Sequence, residues 1–251
     1  MKAHQRTIRE QAPPEPDEDV KRELARSFEH ATVREVDYQT AKPHILRYEW
    51  LGTMGASRWF FALYFGEHIA GIAAFGATAG TRTTESVAGV ENANRVCTLV
   101  RGCCLPWAHP HSASWFIPRA SRLMAERYGK NIVVAYSDER AGEVGTVYQA
   151  TNWIYAGRSN PSQQFRTPNG RVHDGRQVSG LARDRRGGTL RYHRTRSAQK
   201  MLLIEQGAEF QSGYPKHRYV HIAGSPRTVK RLRRALKWPS LPYPKRTPER
   251  A

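Results

Sequence analysis

The stretch Asn131–Gly157, NIVVAYSDERAGEVGTVYQATNWIYAG, constrains the fold of this chain more than any other. Asn131–Tyr136 is almost entirely apolar, as expected of a strand covered on both faces. It ends in Ser137-Asp138, a Gly-bounded helix carrying Tyr148 and Asn152 follows, and Trp153-Ile154-Tyr155 opens another strand. That order sets a carboxylate at a strand's C-terminal end against a phenol on the next helix. Clefts in α/β sheets form at such strand ends, so these residues are expected to line one.

Upstream, Thr32–Asp37 reads as a strand and Tyr38–Trp50 as a helix with Ile45, Leu46 and Trp50 on its apolar side. Trp59–Phe65 and His68–Phe75 form a hairpin around Gly66-Glu67. Thr78–Val90, rich in Gly, Thr and Ala, reads as a loop, and Asn94–Arg101 as a strand. Turn signals fill Leu105–His111, and Ser112–Tyr128 is a helix capped by Ser112. The order β-α-ββ-loop-β-α-β-α-β predicts an α/β (α+β) fold, a central mixed sheet with helices on its faces.

Three segments follow. Residues 1–30, with Pro13-Pro14-Glu15-Pro16 and Asp17-Glu18-Asp19, read as a mobile N-terminal segment. Residues 31–166 form the catalytic domain, and residues 167–251 a basic extension packing on it. In the extension, residues 171–188 read as irregular, Thr195–Gln206 and Val229–Lys237 as helices, and His217–Ile222 as a strand.

Charge separates these parts. The chain carries a net +18, and from Arg166 to Ala251 there are 21 Lys and Arg against 5 Asp and Glu. The last third therefore holds +16 of that excess, and such segregation favours a local polyanion site, chiefly nucleic acid. Arg227, Lys230, Arg231, Arg233, Arg234 and Lys237 spread charge around a short helix, which suits phosphate contacts. Tyr192, Tyr214, Tyr219 and Trp238 are interleaved aromatics, for base stacking or for the core. Cys97, Cys103 and Cys104 have no zinc spacing and make a poor disulfide framework, which points to a reducing, cytoplasmic setting. No apolar run approaches the ~20 residues that span a bilayer, so no membrane association is expected. Nothing in the sequence calls for an obligate protein partner.

Individual residues admit two readings each. Asp138 is a cap for the following turn or a working carboxylate, and Tyr148 a packed aromatic or a proton donor. Ser112-Ala113-Ser114, with Arg101 on the strand before, is an ordinary helix start or an anion site built from free helix N–H groups. Glu49 beside Trp50 is a solvated helix-end charge or a carboxylate in an aromatic cleft. His109 and His111 read as surface residues.

The element order resembles that of the GNAT (N-acetyltransferase) superfamily, in which a parallel strand pair splays around a CoA thioester. The usual Gly-rich phosphate loop is replaced here by His109-Pro110-His111-Ser112-Ala113-Ser114. Trp50-Leu51-Gly52, Ala62-Leu63-Tyr64, Gly71–Gly76, Ser112–Ile117, Tyr136-Ser137-Asp138 and Gly145–Gly157 make the resemblance specific, above all the run Gly145–Trp153. The chain resembles the Mom family of phage DNA-modification proteins over Pro43–Phe165, with Gly213–Val220 and the basic helix. The resemblance implies conversion of adenine in phage DNA to N6-(carbamoylmethyl)adenine, which shields it from restriction. It implies a cleft set of Tyr64, Arg101, Ser114, Asp138 and Tyr148. Arg101 and Ser114 would hold acetyl-CoA or a related CoA thioester, Asp138 would act at the reacting centre, and Tyr148 would position or protonate. It also implies Fe(II) or another divalent metal at a His-Tyr pair plus the aspartate. Tyr48-Glu49-Trp50 stands there in this chain, so a glutamate replaces the histidine and the implied ligands are Glu49 and Asp138. Adenine N6 lies on the pairing edge, so the base must be flipped or single-stranded, with Trp50, Trp115 and Trp153 as aromatic candidates to hold it. Two alternatives stay open: acyl transfer to another modified base, RNA or a protein amine, and a nucleic-acid-binding protein whose cleft has decayed.

Overall fold

The computed structural model describes residues 4–78, 81–175, 178, 183–186, 189–192 and 195–245. A seven-stranded sheet organises the first of two compact units, residues 1–157 with 217–251. In sheet order it comprises β1 (Ala31–Val36), β2 (Ser57–Phe65), β3 (His68–Gly76), β4 (Val96–Cys104), β5 (Ile132–Ser137), β12 (His217–Ile222) and β6 (Ile154–Arg158). The pairs β1–β2, β2–β3, β3–β4 and β5–β12 are antiparallel, and β4–β5 is parallel. The expected mixed sheet is therefore present.

Local chemistry accounts for most elements. Helix α3 (Tyr38–Tyr48) starts where the Asp37 carboxylate accepts from the Thr40 N–H at 2.7 Å, an ordinary N-cap. It buries Ala41, Ile45 and Tyr48 against the sheet. Helix α5 (Ser112–Tyr128) buries Phe116, Ile117, Ala120 and Met124, one stripe at helical spacing, and Gly129 ends it in the left-handed region at φ 64°. Ile132 to Ala135 in β5 are fully buried, as their unbroken apolar run requires.

Four expectations are corrected. Residues 1–30 carry two helices, α1 (His4–Gln11) and α2 (Glu18–Leu24), with side-chain contacts to α3. Thr81–Ala88, read as loop, is helix α4, because Val87 and Ala88 bury themselves in a cluster with Val96 and Leu232. Ser112 is the first residue inside α5 and His111 holds the cap position. The stretch 171–188, read as irregular, contains β8 (Val172–Asp174) and β9 (Arg183–Arg186), and its remaining residues save Arg171, Gly175 and Val178 lie outside the described ones.

His217–Ile222 had been grouped with the basic extension. As β12 it instead pairs along the whole of β5, from His217 opposite Ser137 to Ile222 opposite Ile132, and buries Tyr219 completely. Residues 217–251 thus group with 1–157, not with 167–216. The second unit, residues 158–216, contains the three-stranded sheet β11 (Glu209–Ser212), β7 (Gln163–Arg166), β8 and the hairpin β9–β10 (Thr189–Tyr192). Helix α7 (Arg196–Glu205) supplies Leu203 to its small core with Phe165, Val178 and Ala208. No helix among the described residues is long and apolar enough to cross a membrane.

His221 on β12 stacks on Trp153, ring centroids 5.1 Å apart. Burial pushes its imidazole down to about 4, and the nearby Arg122 charge adds to the effect. The unfolded chain, titrating near its ordinary value of about 6.5, then binds the proton first, so stability falls as pH drops from there toward 4. Thermal melts at pH 7 and pH 5 should show that loss, and His221→Gln should reduce it.

Candidate active site

The parallel ladder between β4 and β5 has three rungs, Val96–Ile132, Cys97–Val133 and Thr98–Val134, and then stops. Both strands continue past it. β4 stays paired with β3 as far as Cys104 opposite Gly71, and β5 stays paired with β12 as far as Ser137. A register shift explains the parting. Leu99 lies opposite Phe75 and Arg101 opposite Ala74, so Val100 is an extra residue, and a bulge of this kind bends its strand. The result is a wedge inside the sheet, with the facing backbone edges of the two strands no longer paired to each other.

Groups around the wedge include buried polar atoms without partners. Thr98 Oγ1, at the last rung, and Ser112 Oγ, at the start of α5, are buried and have no hydrogen-bond acceptor or donor among the described residues. Native proteins leave few such atoms, so each asks for a ligand or a water. Ser112 opens a helix whose first N–H groups lack intrahelical partners, so an anion fits there. Ala113 is small, and Ser114 Oγ donates back to the His111 carbonyl at 2.9 Å.

Arg101 leaves β4 at the bulge and binds inside the protein. Its Nε donates to the Thr53 carbonyl at 2.7 Å, Nη2 to Thr53 Oγ1 at 2.9 Å, and Nη1 to the Val100 carbonyl at 2.7 Å. The Glu49 carboxylate, 6% exposed, lies 3.5 Å from Nε and accepts from the Leu51 N–H at 3.0 Å. Burial raises the Glu49 carboxyl above the usual carboxylate range, against the opposing pull of Arg101. Arg101 thus ties the turn at residues 49–55 to the strand. Gly55 permits this, since a Cβ there would stand 2.9 Å from Val100 and 3.1 Å from the guanidinium.

On the other wall, Asp138 is buried at the end of β5, where the sequence placed it. Its Oδ1 accepts from the Arg140 N–H at 3.1 Å and lies 3.6 Å from the Arg140 side chain, so it caps the turn at Glu139–Ala141. Helix α6 (Thr146–Ala150) follows between Gly145, at φ 77°, and Asn152, at φ 57°. Gly145 is required, because a Cβ would come within 2.4 Å of the Tyr219 ring. Tyr148 on α6 packs against Trp153 and Tyr219, with centroids 4.8 and 5.1 Å away. Burial pushes its phenol above the usual range, and the charges of Glu143 and Glu49 push the same way.

Other expected residues lie apart or do other work. Tyr64 on β2 lies under the Arg34 guanidinium, 4.8 Å from its ring centre. Trp153 is fully buried in the core and presents no face to a base. Trp115 is stacked by Phe28 at 5.0 Å and covered by Arg119 at 3.8 Å, and Trp50 meets His4 edge-on. Among the described residues no group of three or more His, Cys, Asp and Glu could hold a metal ion. The expected Glu49 and Asp138 pair does not fit a metal on that ground, with Glu49 engaged by Arg101 and Asp138 by the turn it caps.

One constellation escaped the sequence reading. His217, 3% exposed, holds the Tyr155 hydroxyl at 2.8 Å through Nδ1 and the Glu139 carboxylate at 2.5 Å through Nε2. It locks the residue after Asp138 onto β6. A lone His in a basic stretch gives no sign of this, since its partners come from β6 and from the turn after β5.

The basic helix α8 (Pro226–Ala235) completes the unit. Ser225 caps it and Leu232 is its buried anchor. Arg227, Lys230, Arg231, Arg233 and Arg234 on the helix and Lys237 just after it are all exposed, and none has an ion-pair partner among the described residues. Lys230, Arg233 and Arg234, with Gly224, Pro226 and Val229, line an open groove of about 550 Å³. Of the interleaved aromatics, Tyr219 is core and Tyr214 is exposed.

These features define a mixed α/β protein with a wedge-shaped parting between two parallel strands and a cationic helix. A model of the Mom protein family matches residues 30–245, and the chain belongs to that family. No curated protein matches the chain. Among solved structures, it is similar to an IAA acetyltransferase from Bacillus cereus, at 8% identity and TM-score 0.39 over 76% of this chain and 99% of the other. A ribosomal-protein-S5-alanine acetyltransferase from Vibrio fischeri is similar at 10% identity and TM-score 0.37, over 54% and 85%.

The Glu49–Arg101 pair offers a direct test of the cleft wall. Arg101→Met should destabilise the protein by roughly 3 kcal/mol, because it strands a buried carboxylate. Glu49→Gln combined with it should recover part of that loss in urea titrations.

Proposed function

We propose that this protein is a DNA-modifying transferase that binds a CoA-type ligand and acts at adenine N6, the modified base being N6-(carbamoylmethyl)adenine. The reading is carried by the parting of β4 from β5 together with the unpartnered, buried Ser112 hydroxyl at the N-terminus of α5. Membership of the Mom family supports DNA as the substrate.

Ser112, Ala113 and Ser114 would hold the phosphates of acetyl-CoA or a related thioester. Arg101 contributes by fixing the Glu49 turn. Glu49, raised above the usual carboxylate range, is suited to accept a proton from the attacking amine. Tyr148, held protonated by burial and by neighbouring carboxylates, is suited to donate one. Asp138 fixes the turn that leads to Tyr148. The cations of α8 hold DNA phosphates, which supplies affinity without sequence information.

Expression in a bacterium, digestion of total DNA and mass spectrometry of the nucleosides tests the reading. A deoxyadenosine heavier by a carbamoylmethyl unit is expected, and unmodified DNA despite good expression overturns it. Tyr148→Phe should lower the yield by about 10²–10⁴-fold in single-turnover assays while DNA binding persists. Replacing Arg231 and Arg234 together should weaken DNA binding similarly for all sequences. It should also reduce the salt slope of binding by about 2.

A further inference from the structure

Residues 4–29 lie before the matched family segment and fold against the Glu49 turn and the loop before α5. Glu15 is the hub. One carboxylate oxygen accepts from the Tyr48 hydroxyl, and the other accepts from Trp107 Nε1 at 3.2 Å and from Lys21 Nζ at 3.2 Å. Tyr48 ends α3 immediately before Glu49, while Trp107, 2% exposed, lies in the loop that leads from β4 into α5. One side chain therefore joins the Glu49 turn to the loop that sets Ser112.

Neighbouring contacts repeat the pattern. Gln5 Nε2 donates to the Tyr48 carbonyl at 2.5 Å, and Gln5 Oε1 accepts from the Trp50 N–H at 3.1 Å, so Glu49 is gripped on both flanks. Arg9 Nη2 donates to the Ala108 carbonyl at 3.0 Å, and Phe28 stacks on Trp115 while meeting His109 edge-on at 4.7 Å. The Glu15 side chain is 15% exposed, so these bonds are largely shielded from water.

We propose that Glu15 is a positioning residue that clamps the Glu49 turn to the loop before α5, making the N-terminal segment an integral part of the cleft. Its effect on donor binding rests on the function proposed above; its effect on structure does not. Hydrogen exchange on the full chain separates the two. Glu15→Ala should speed exchange about tenfold in peptides covering both 48–55 and 105–115, with β5 and β12 unchanged. Glu15→Gln, which keeps one acceptor oxygen for Trp107 and can donate its amide N–H to the Tyr48 hydroxyl, should restore much of the protection. Glu29→Ala, at an exposed site, should match the native chain. Acceleration confined to residues 4–30, or equal for Ala and Gln, overturns the proposal. If Glu15→Ala does not fold, Gln5→Ala serves instead, with exchange expected to rise at 48–55. Calorimetry with acetyl-CoA should give about a tenfold weaker Kd for Glu15→Ala, with Glu15→Gln between. A native chain that binds no acetyl-CoA refutes the donor reading, and the exchange data still decide the clamp.

Discussion

Backbone N–H and C=O groups inside a sheet must find partners, and between β4 and β5 they do so for three rungs. Beyond Thr98 and Val134 each strand keeps its other neighbour, so the wedge has two rigid walls. The extra residue Val100 bends β4, and Gly55 and Gly76 make room for it: a Cβ on Gly76 would stand 3.0 Å from Val100 and closer still to the Ala56 backbone. Everything assigned to the cleft hangs from these walls: Arg101 and the Glu49 turn on one, Asp138 and the Tyr148 helix on the other.

Electrostatics divides the molecule between inside and outside. Inside, Glu49 and Tyr148 are both biased toward keeping protons, mainly by burial, and Arg101 offsets the carboxylate. Outside, the cations of α8 face solvent above a single buried leucine, Leu232. Burying one apolar residue and leaving six cations exposed suits a surface whose partner brings the counter-charge. The wedge and the cationic helix belong to one compact unit, because β12 carries the chain back into the sheet before α8 begins.

The N-terminal segment gives the cleft a brace. Tyr48, Trp50 and Trp107 would be awkward at a cleft mouth, with polar tips needing partners beside apolar bodies. Glu15 and Gln5 satisfy the Tyr48 and Trp107 tips and the backbone around Glu49. Lys21 balances the charge of Glu15, and although burial alone would raise that carboxyl, the bonds from Tyr48, Lys21 and Trp107 hold it below the usual range.

By itself the sequence determined what depends on neighbours along the chain. The apolar run of β5, the Gly66 hairpin, the α5 stripe, the Gly145 start of α6 and the cationic α8 all follow from periodicity and backbone preference. Asn152, read as part of α6, instead lies beyond its end at φ 57°. The placing of Asp138 at a strand end and of Tyr148 on the helix after it was legible because strand ends and following helices have a fixed relation. Tertiary structure decided what depends on distant partners. Thr81–Ala88 became helical through burial of Val87, Trp153 went to the core, and β12 entered the sheet between β5 and β6. The same holds for Arg101 turning inward to Glu49, His217 joining Tyr155 to Glu139, and Glu15 bridging Tyr48 and Trp107. Each joins residues dozens of positions apart, and local pattern carries no information about which remote group will fill a lone pair or a buried face.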